Sequence, residues 1–521
     1  MRPLYIAAIA IAVLFLLALA RLARLDAAAP AHQFVNLPGQ EPATLYLPGD
    51  QNAFFRVLPP ANPPPAVVLI HGFTADRQLM STLARFVAQN GYAVLAIDVS
   101  GHGTNRNPFT GGQANRDGLR PDVKRAVDFL RGYPFVDGSR IVVMGHSMGA
   151  GAALDYATVD PQLRGAVMIS GGFALAAGEH PKNALFIYAQ NDPDFIKSSS
   201  AAIAAHLAGV PSIESGKAYG DFRQGTAVEA VEMPGLDHMS IVFSPDAAAA
   251  MVKWLDSSME VPRAGELNLA NTRRNTARIA LLLFVLMLIP LGKIAGEIAG
   301  QWSETPAGVG GWWGLLIVFA GLAAAMPLVG AVAPVAFFPL VVGDAQISWF
   351  MAAGVIIVII LILARSLDWQ GFRRHLETTI LAAGIAMIVI YLAEVGMSVV
   401  LHNLTLSPER FIFAILGAIL TFPFWYGFEF MLRRGSLTIS TLRASLGRAL
   451  IIVMIVAGAF LQVLPFVLLL ILPVVFSILA LMEVFAASAY SCSRNLALIA
   501  IVDSAWFAWI IAATNPITFM F

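Results

Sequence analysis

The chain has 521 residues and no net formal charge; 58% of its residues are hydrophobic and only 13% are charged. That balance is too apolar for a soluble protein of this size, and the neutral charge suggests no polyanion such as nucleic acid as a partner. A single cysteine, Cys492, rules out an intrachain disulfide and argues against thiol catalysis, while leaving the compartment open.

The apolar excess is uneven. Residues from about 30 to 265 have the composition of an ordinary soluble domain, and most of the rest reads as membrane. Leu4 to Ala20 form an unbroken apolar run flanked by Arg2, Arg21 and Arg24. The run is long for a signal-peptide core and just long enough to span a bilayer. Ala29-Pro30-Ala31 mimics a cleavage site, but the favoured reading is an uncleaved signal anchor over residues 1–25. The Ala- and Pro-rich stretch 26–48 reads as a tether leading to an edge strand.

Strands then alternate with helices. Phe54–Leu58, Ala66–Ile70, Tyr92–Ile97, Ile141–Met144, Arg164–Ile169, Ala184–Tyr188 and Ala227–Met233 read as strands. Gln78–Gln89, Pro121–Arg131, the segment after Ser147, Ser198–Ala208 and Ala247–Leu255 read as helices. This alternation predicts an α/β fold, a doubly wound and mostly parallel sheet over residues 49–262. Functional groups are expected at the C-terminal ends of its strands. No long insertion interrupts 149–190, and Ala208 to Gly225 is the one stretch long enough for a small lid, so an open site is expected.

After a linker at 263–276, residues 277–521 read as an all-α bundle of about seven to eight spans. The apolar runs are 277–296, 313–333, 346–364, 377–400, 410–431, 449–466, 468–490 and 495–514, with a tight hairpin at Gln462–Pro465. Pro327, Pro334 and Pro339 leave 313–342 as one broken span or a span plus a re-entrant piece. The Arg-rich loops Arg365–His375 (with Arg373 and Arg374) and Arg433–Arg448 (with Arg434 and Arg443) are expected in the cytoplasm, and His402–Pro408 outside. One span across 313–342 then puts the α/β domain outside, as an N-terminal anchor also favours; Arg273, Arg274 and Arg278 argue for inside. Glu394, Glu429, Glu483 and Asp503 fall within spans and should face the bundle interior, with Glu429 and Arg433 placed to pair. Trp312, Trp313, Trp349 and Trp369 read as interfacial anchors, Cys492 as part of a turn, and Asn403-Leu404-Thr405 fits a glycosylation acceptor.

The chemistry centres on Gly145-His146-Ser147-Met148-Gly149. It is a G-x-S-x-G motif between a buried strand and a helix of small residues, which lifts a serine hydroxyl onto a sharp turn. A serine hydroxyl needs a base, and His238 is the one histidine between the last soluble strand and the membrane region. Asp192, just past the preceding strand, is the favoured carboxylate, with Asp194 the alternative. The backbone N–H groups of Met148 and Phe73 are the candidate oxyanion donors. His71 reads as a structural histidine bonded to backbone, His146 as a packing residue, and Asp98 with Gly101-His102-Gly103 as turn architecture. His32, His180 and His206 read as solvated.

Residues from about 45 to 258 thus resemble an α/β-hydrolase of the dienelactone hydrolase or serine esterase kind. His71-Gly72-Phe73, Asp98 with Gly101-His102-Gly103, the Ser147 motif, Asp192 and His238 carry the resemblance. It implies a Ser147–Asp192–His238 triad, no metal and no organic cofactor. Serine in place of the cysteine of some dienelactone hydrolases favours ordinary esters. We recognise no family in the membrane half. The expected function is a membrane-embedded serine hydrolase acting on an ester, lipid-like substrates included, among membrane lipids. The alternatives are an acyltransferase, or a transport or binding protein with a silent hydrolase-like domain.

Overall fold

The structure is a computed structural model that describes residues 2–28, 30–55, 58–110, 116–172, 174–175, 180–263, 265–268, 271–301, 309–332, 338–366, 375–398 and 401–518. A long apolar helix, α1 (Arg2–Ala28), leads directly into the strands β1 (Ala31–Asn36) and β2 (Pro42–Leu47). These two pair antiparallel, with Ala31 opposite Leu47 and Asn36 opposite Pro42. The stretch expected as a tether is therefore part of the sheet. The strand expected at Phe54–Leu58 is instead a 3-10 turn over Gln51–Phe55, since β1 and β2 already occupy that sheet edge; residues 56–57 lie outside the described residues.

The remaining α/β elements are β3 (Ala66–Ile70), α2 (Ser81–Gln89), β4 (Ala93–Ile97), α3 (Arg120–Gly132), β5 (Ile141–His146) and α4 (Met148–Val159). They continue with β6 (Gly165–Ile169), β7 (Ala184–Ala189), α5 (Asp194–Ala208), β8 (Ala218–Tyr219), β9 (Val228–Met233) and α6 (Pro245–Ser258). One nine-stranded sheet runs β1-β2-β4-β3-β5-β6-β7-β9-β8. It is parallel from β4 through β9 and antiparallel at both edges, the mixed sheet of an α/β-hydrolase. The two-residue period of a strand sends Val68, Ile70 and Val143 to one face, against Val123, Val127 and Ala153 of α3 and α4. It sends Val67, Leu69 and Val142 to the other, against Leu83, Val87, Met251 and Leu255 of α2 and α6. The chain crosses from β3 to β4 on one side and from β5 to β6 on the other, so the loops after β3 and β5 part at a topological switch point.

The stretch Ala208–Gly225 is not a lid. Its β8 pairs antiparallel with β9, and the Gly216 N–H donates to the Ala230 carbonyl at 2.8 Å, so hydrogen bonding draws it to the sheet edge.

The second half consists of α7 (Asn271–Ala299), α8 (Trp312–Val332), α9 (Gly343–Leu363), α10 (Leu376–Met397), α11 (Pro408–Leu432), α12 (Leu437–Phe460), α13 (Leu472–Ser493) and α14 (Leu496–Thr514). With α1, nine helices among the described residues are long and apolar enough to cross a membrane, as in a multi-pass membrane protein. The stretch 313–342 holds one such helix; Pro334 lies outside the described residues. Leu340, beyond that helix, bridges antiparallel to Ile517.

Three sequence expectations are corrected in this half. Helix α12 starts at Leu437, so Arg443 and Arg448 are helical rather than in a loop. Arg448 turns inward, 2.6 Å from both Glu483 and Asp503 and 3.1 Å from Glu429. Arg433 pairs with Glu429 and, at 2.7 Å, with Glu483. These acids do face the bundle interior, where opposite charges in contact offset the cost of leaving water. Glu394 accepts the Trp506 indole N–H at 3.2 Å. Trp349 is not an interfacial anchor: it is 1% exposed and donates its indole N–H to the Leu322 carbonyl at 2.9 Å. Trp312 and Trp313 are exposed at the start of α8, and Trp369 lies outside the described residues, as do Arg373 and Arg374. Cys492 ends α13 rather than occupying a turn.

Candidate active site

Strand β5 ends at His146, and Ser147 turns the chain into α4 with φ +54 and ψ −114. A non-glycine residue is strained there, and the surroundings must hold it. The Ser147 N–H donates to the Ile169 carbonyl at 2.8 Å, and the Ser147 carbonyl accepts from Ala150 at 3.0 Å and Gly151 at 3.2 Å. The flanking glycines are a steric requirement. A Cβ on Gly145 would stand 2.0 Å from the Gly149 carbonyl oxygen, and one on Gly149 would stand 2.5 Å from those of Ile70 and His71.

His238 lies in the turn after β9. Its Nε2 is 3.0 Å from Ser147 Oγ and its Nδ1 is 2.7 Å from Asp192 Oδ1. Asp192 accepts only, so Nδ1 carries the proton and Nε2 presents a lone pair to the serine hydroxyl. Asp192 Oδ2 also accepts the Ala189 N–H at 2.8 Å and the Ser170 hydroxyl at 2.6 Å. Burial pushes the Asp192 carboxyl up, but the hydrogen bonds from His238, Ser170 and Ala189 outweigh it and leave the group below its ordinary value. Asp194 is elsewhere: its side chain is 99% exposed, 3.2 Å from Lys197.

His146 is buried. Its Nε2 donates to the His238 carbonyl oxygen at 2.9 Å, which fixes the backbone of the residue facing Ser147. Burial, and then the neighbouring His238, push His146 down to about 3, so the ring is neutral. Neither this contact nor that of Ser170 was read from the sequence. The available signal for Ser170 is its place at the C-terminal end of a buried strand beside the nucleophile strand.

The turn after β3 runs alongside. A Cβ on Gly72 would lie 3.2 Å from Ser147 Cβ, so this turn passes close beside the serine with no room for a larger residue. Among the described residues the Phe73 N–H has no protein acceptor, and Met148, as first residue of α4, has none within its helix. His71 is structural: its Nδ1 donates to the Gly72 carbonyl at 2.8 Å and its Nε2 accepts the Val99 N–H at 3.2 Å. Asp98 is also structural, accepting the Arg77 and Thr104 backbone N–H groups at 2.8 and 2.9 Å. His32 is not solvated; its ring stacks on Tyr46 at 5.8 Å. His180 and His206 stack on each other at 6.2 Å.

Nor is the site open. Ser147 and His238 are 7% and 5% exposed. The Phe73 side chain packs against both the hydrolase core and the core of the helical half. The helical half thus touches the turn beside the site at Phe73.

The α/β half is similar to serine-hydrolase-type α/β-hydrolases. Residues 61–199 match the family model described as serine aminopeptidase, S33. Cutinase 1 of Thermobifida cellulosilytica is 28% identical over 127 residues, 24% of this chain and 43% of that protein. The bis(hydroxyethyl) terephthalate hydrolase of Streptomyces coelicolor is 33% identical over 109 residues, 20% of this chain and 32% of that protein. An uncharacterized protein of Mycobacterium tuberculosis is 34% identical over 97 residues, 19% of this chain and 33% of that protein. The chain thus spans less than half the length of these relatives.

Proposed function

We propose that the chain is a membrane-embedded serine hydrolase that cleaves a carboxylic ester, with Ser147 as nucleophile, His238 as general base and acid, and Asp192 orienting His238. The observation that carries this reading is the unbroken relay from Ser147 Oγ to His238 Nε2 (3.0 Å) and from His238 Nδ1 to Asp192 (2.7 Å).

In this mechanism His238 Nε2 takes the hydroxyl proton as Ser147 Oγ attacks the ester carbonyl. The Asp192 carboxylate stabilises the imidazolium that forms. The N–H groups of Phe73 and Met148 receive the oxyanion. The tetrahedral intermediate collapses as His238 returns the proton to the departing alcohol. Water then repeats the sequence on the acyl-enzyme, giving the acid and free Ser147. The relatives named cutinase and bis(hydroxyethyl) terephthalate hydrolase favour an ester over the peptide suggested by the family description.

The domain arrangement in this reading is an α1 anchor, an α/β domain and a polytopic helical domain, with the α/β domain outside the cytoplasm. Arg365, Arg433, Arg434 and Arg494 lie in the connections at one end of the bundle. The connections 338–342, 401–407 and 461–471 at the other end carry no Lys or Arg, which favours an extracytoplasmic α/β half. The opposing signal of Arg273 is weakened because it pairs with Asp26 at 2.6 Å.

Fluorophosphonate labelling of the detergent-solubilised chain tests the reading. Wild type labels, while Ser147→Ala and His238→Ala do not. A folded wild type that stays unlabelled returns the chain to the class of silent binding or transport proteins.

A further inference from the structure

Four residues of the helical half meet the loops that follow the strands of the candidate site. The residue at 402 touches the turn after β3, Ile517 and Arg410 touch the loop after β4, and Phe466 touches Phe195 after β7 with ring centroids 5.6 Å apart. The first contact is aimed at the oxyanion turn.

Thr74 follows Phe73 and has φ +59. A β-branched residue is unfavourable in that region, so the turn needs an outside hold. The Thr74 carbonyl oxygen lies 2.8 Å from His402 Nε2. Two residues on, Asp76 is fully buried; its Oδ1 accepts the Leu79 N–H at 2.8 Å and its Oδ2 accepts the Asn403 N–H at 2.7 Å. His402 Nδ1 stands 3.2 Å from that same Oδ2 and 3.2 Å from the Asn403 carbonyl oxygen. Both ring nitrogens therefore face acceptors.

The turn is also held from its other side. Phe73 packs edge-on to Phe109 at 5.9 Å and to His102 at 5.7 Å. The Phe109 N–H donates to the Ile517 carbonyl at 2.7 Å, and the Ile517 N–H donates to the Gly101 carbonyl at 3.0 Å. Buried Arg410 donates to Gly101 at 2.9 Å and to the Asn515 carbonyl at 2.8 Å. Phe73 is thus set between two attachments to the helical half.

We infer that the helical half holds the oxyanion turn of the hydrolase half, and that His402 is the positioning residue that keeps Thr74 strained and the Phe73 N–H aimed at Ser147. This rests on the hydrolase reading above. It makes the membrane helices part of the catalytic apparatus rather than an anchor alone.

The test uses the full chain in detergent with p-nitrophenyl butyrate. His402→Ala lowers kcat by about tenfold or more, with KM within about twofold of wild type. Thr74→Asn added to His402→Ala recovers part of kcat, because asparagine tolerates positive φ without the clamp. Arg106→Ala, which removes an exposed contact of 3.0 Å with Glu409 between the same halves, leaves kcat unchanged. A folded His402→Ala that keeps kcat within about twofold of wild type overturns the inference. So does a loss matched by Arg106→Ala. If His402→Ala does not fold, His402→Gln, which loses the contact with Asp76, carries the same test with a threefold loss of kcat as the threshold. Fluorophosphonate labelling of wild type, absent in Ser147→Ala, separates failure of the clamp from failure of the hydrolase reading.

Discussion

The Ser170 hydroxyl donates a 2.6 Å hydrogen bond to Asp192 Oδ2, on the oxygen opposite the one that faces His238. Asp192 is thereby fixed in rotation with Oδ1 toward His238. A hydrogen bond to a charged group contributes about 1.5–3 kcal/mol. Ser170→Ala is expected to lower kcat about tenfold while leaving Ser147 able to label. Equal kcat in wild type and Ser170→Ala would remove this residue from the mechanism.

The two candidate acids separate cleanly. Asp192→Asn puts an amide where the carboxylate fixed the His238 tautomer, and kcat is expected to fall by about 10⁴. Asp194→Asn, altering a side chain that is 99% exposed, is expected to leave kcat within about twofold of wild type. Steady-state kinetics on one soluble ester reads both.

His146 makes the α/β half acid-sensitive. Its ordinary value is 6.5 and burial takes it to about 3 in the folded chain. Between those values the unfolded chain binds the extra proton, so stability falls as pH drops, by up to about 1.4 kcal/mol per unit. His146→Gln keeps a donor for the His238 carbonyl and does not titrate. Its Tm should therefore fall less between pH 7 and pH 5 than that of wild type; parallel losses would assign the acid sensitivity to other groups.

Arg448 is the cation that three buried carboxylates share. Arg448→Met leaves Glu429 and Glu483 with Arg433 and takes from Asp503 its ion-pair partner, and losing one partner of a buried pair costs about 3–5 kcal/mol. A marked loss of Tm in detergent is expected, whereas Arg106→Ala, at the surface, changes Tm little. A Tm unchanged by Arg448→Met would show that the network adds nothing to folding.

Sidedness is open to chemical labelling. In a Cys492→Ser background, Asp194→Cys places the sole thiol on an exposed side chain of the α/β half. An impermeant maleimide should label it in intact cells. Labelling that requires permeabilisation would put the α/β half inside.

The sequence by itself determined the alternating strands and helices, the elbow at Ser147, the membrane runs and the choice of His238 and Asp192 for comparison with the structure. These are local or ordered features: apolar periodicity, glycine spacing, and the position of polar residues at strand ends. The misreadings at 26–48 and at 208–225 arise because an edge strand is fixed by the strand it pairs with, β2 by β4 and β8 by β9, more than by its own pattern. The start of α12 was misread because Arg443 and Arg448 look like loop residues until Glu429, Glu483 and Asp503, from three other helices, surround Arg448. Only the tertiary structure decided that Ser170 holds Asp192, that His146 holds the His238 backbone, and that His402 reaches Thr74 across 328 residues of chain. Such contacts depend on two chain segments arriving at one place, and no periodicity within either segment records the other.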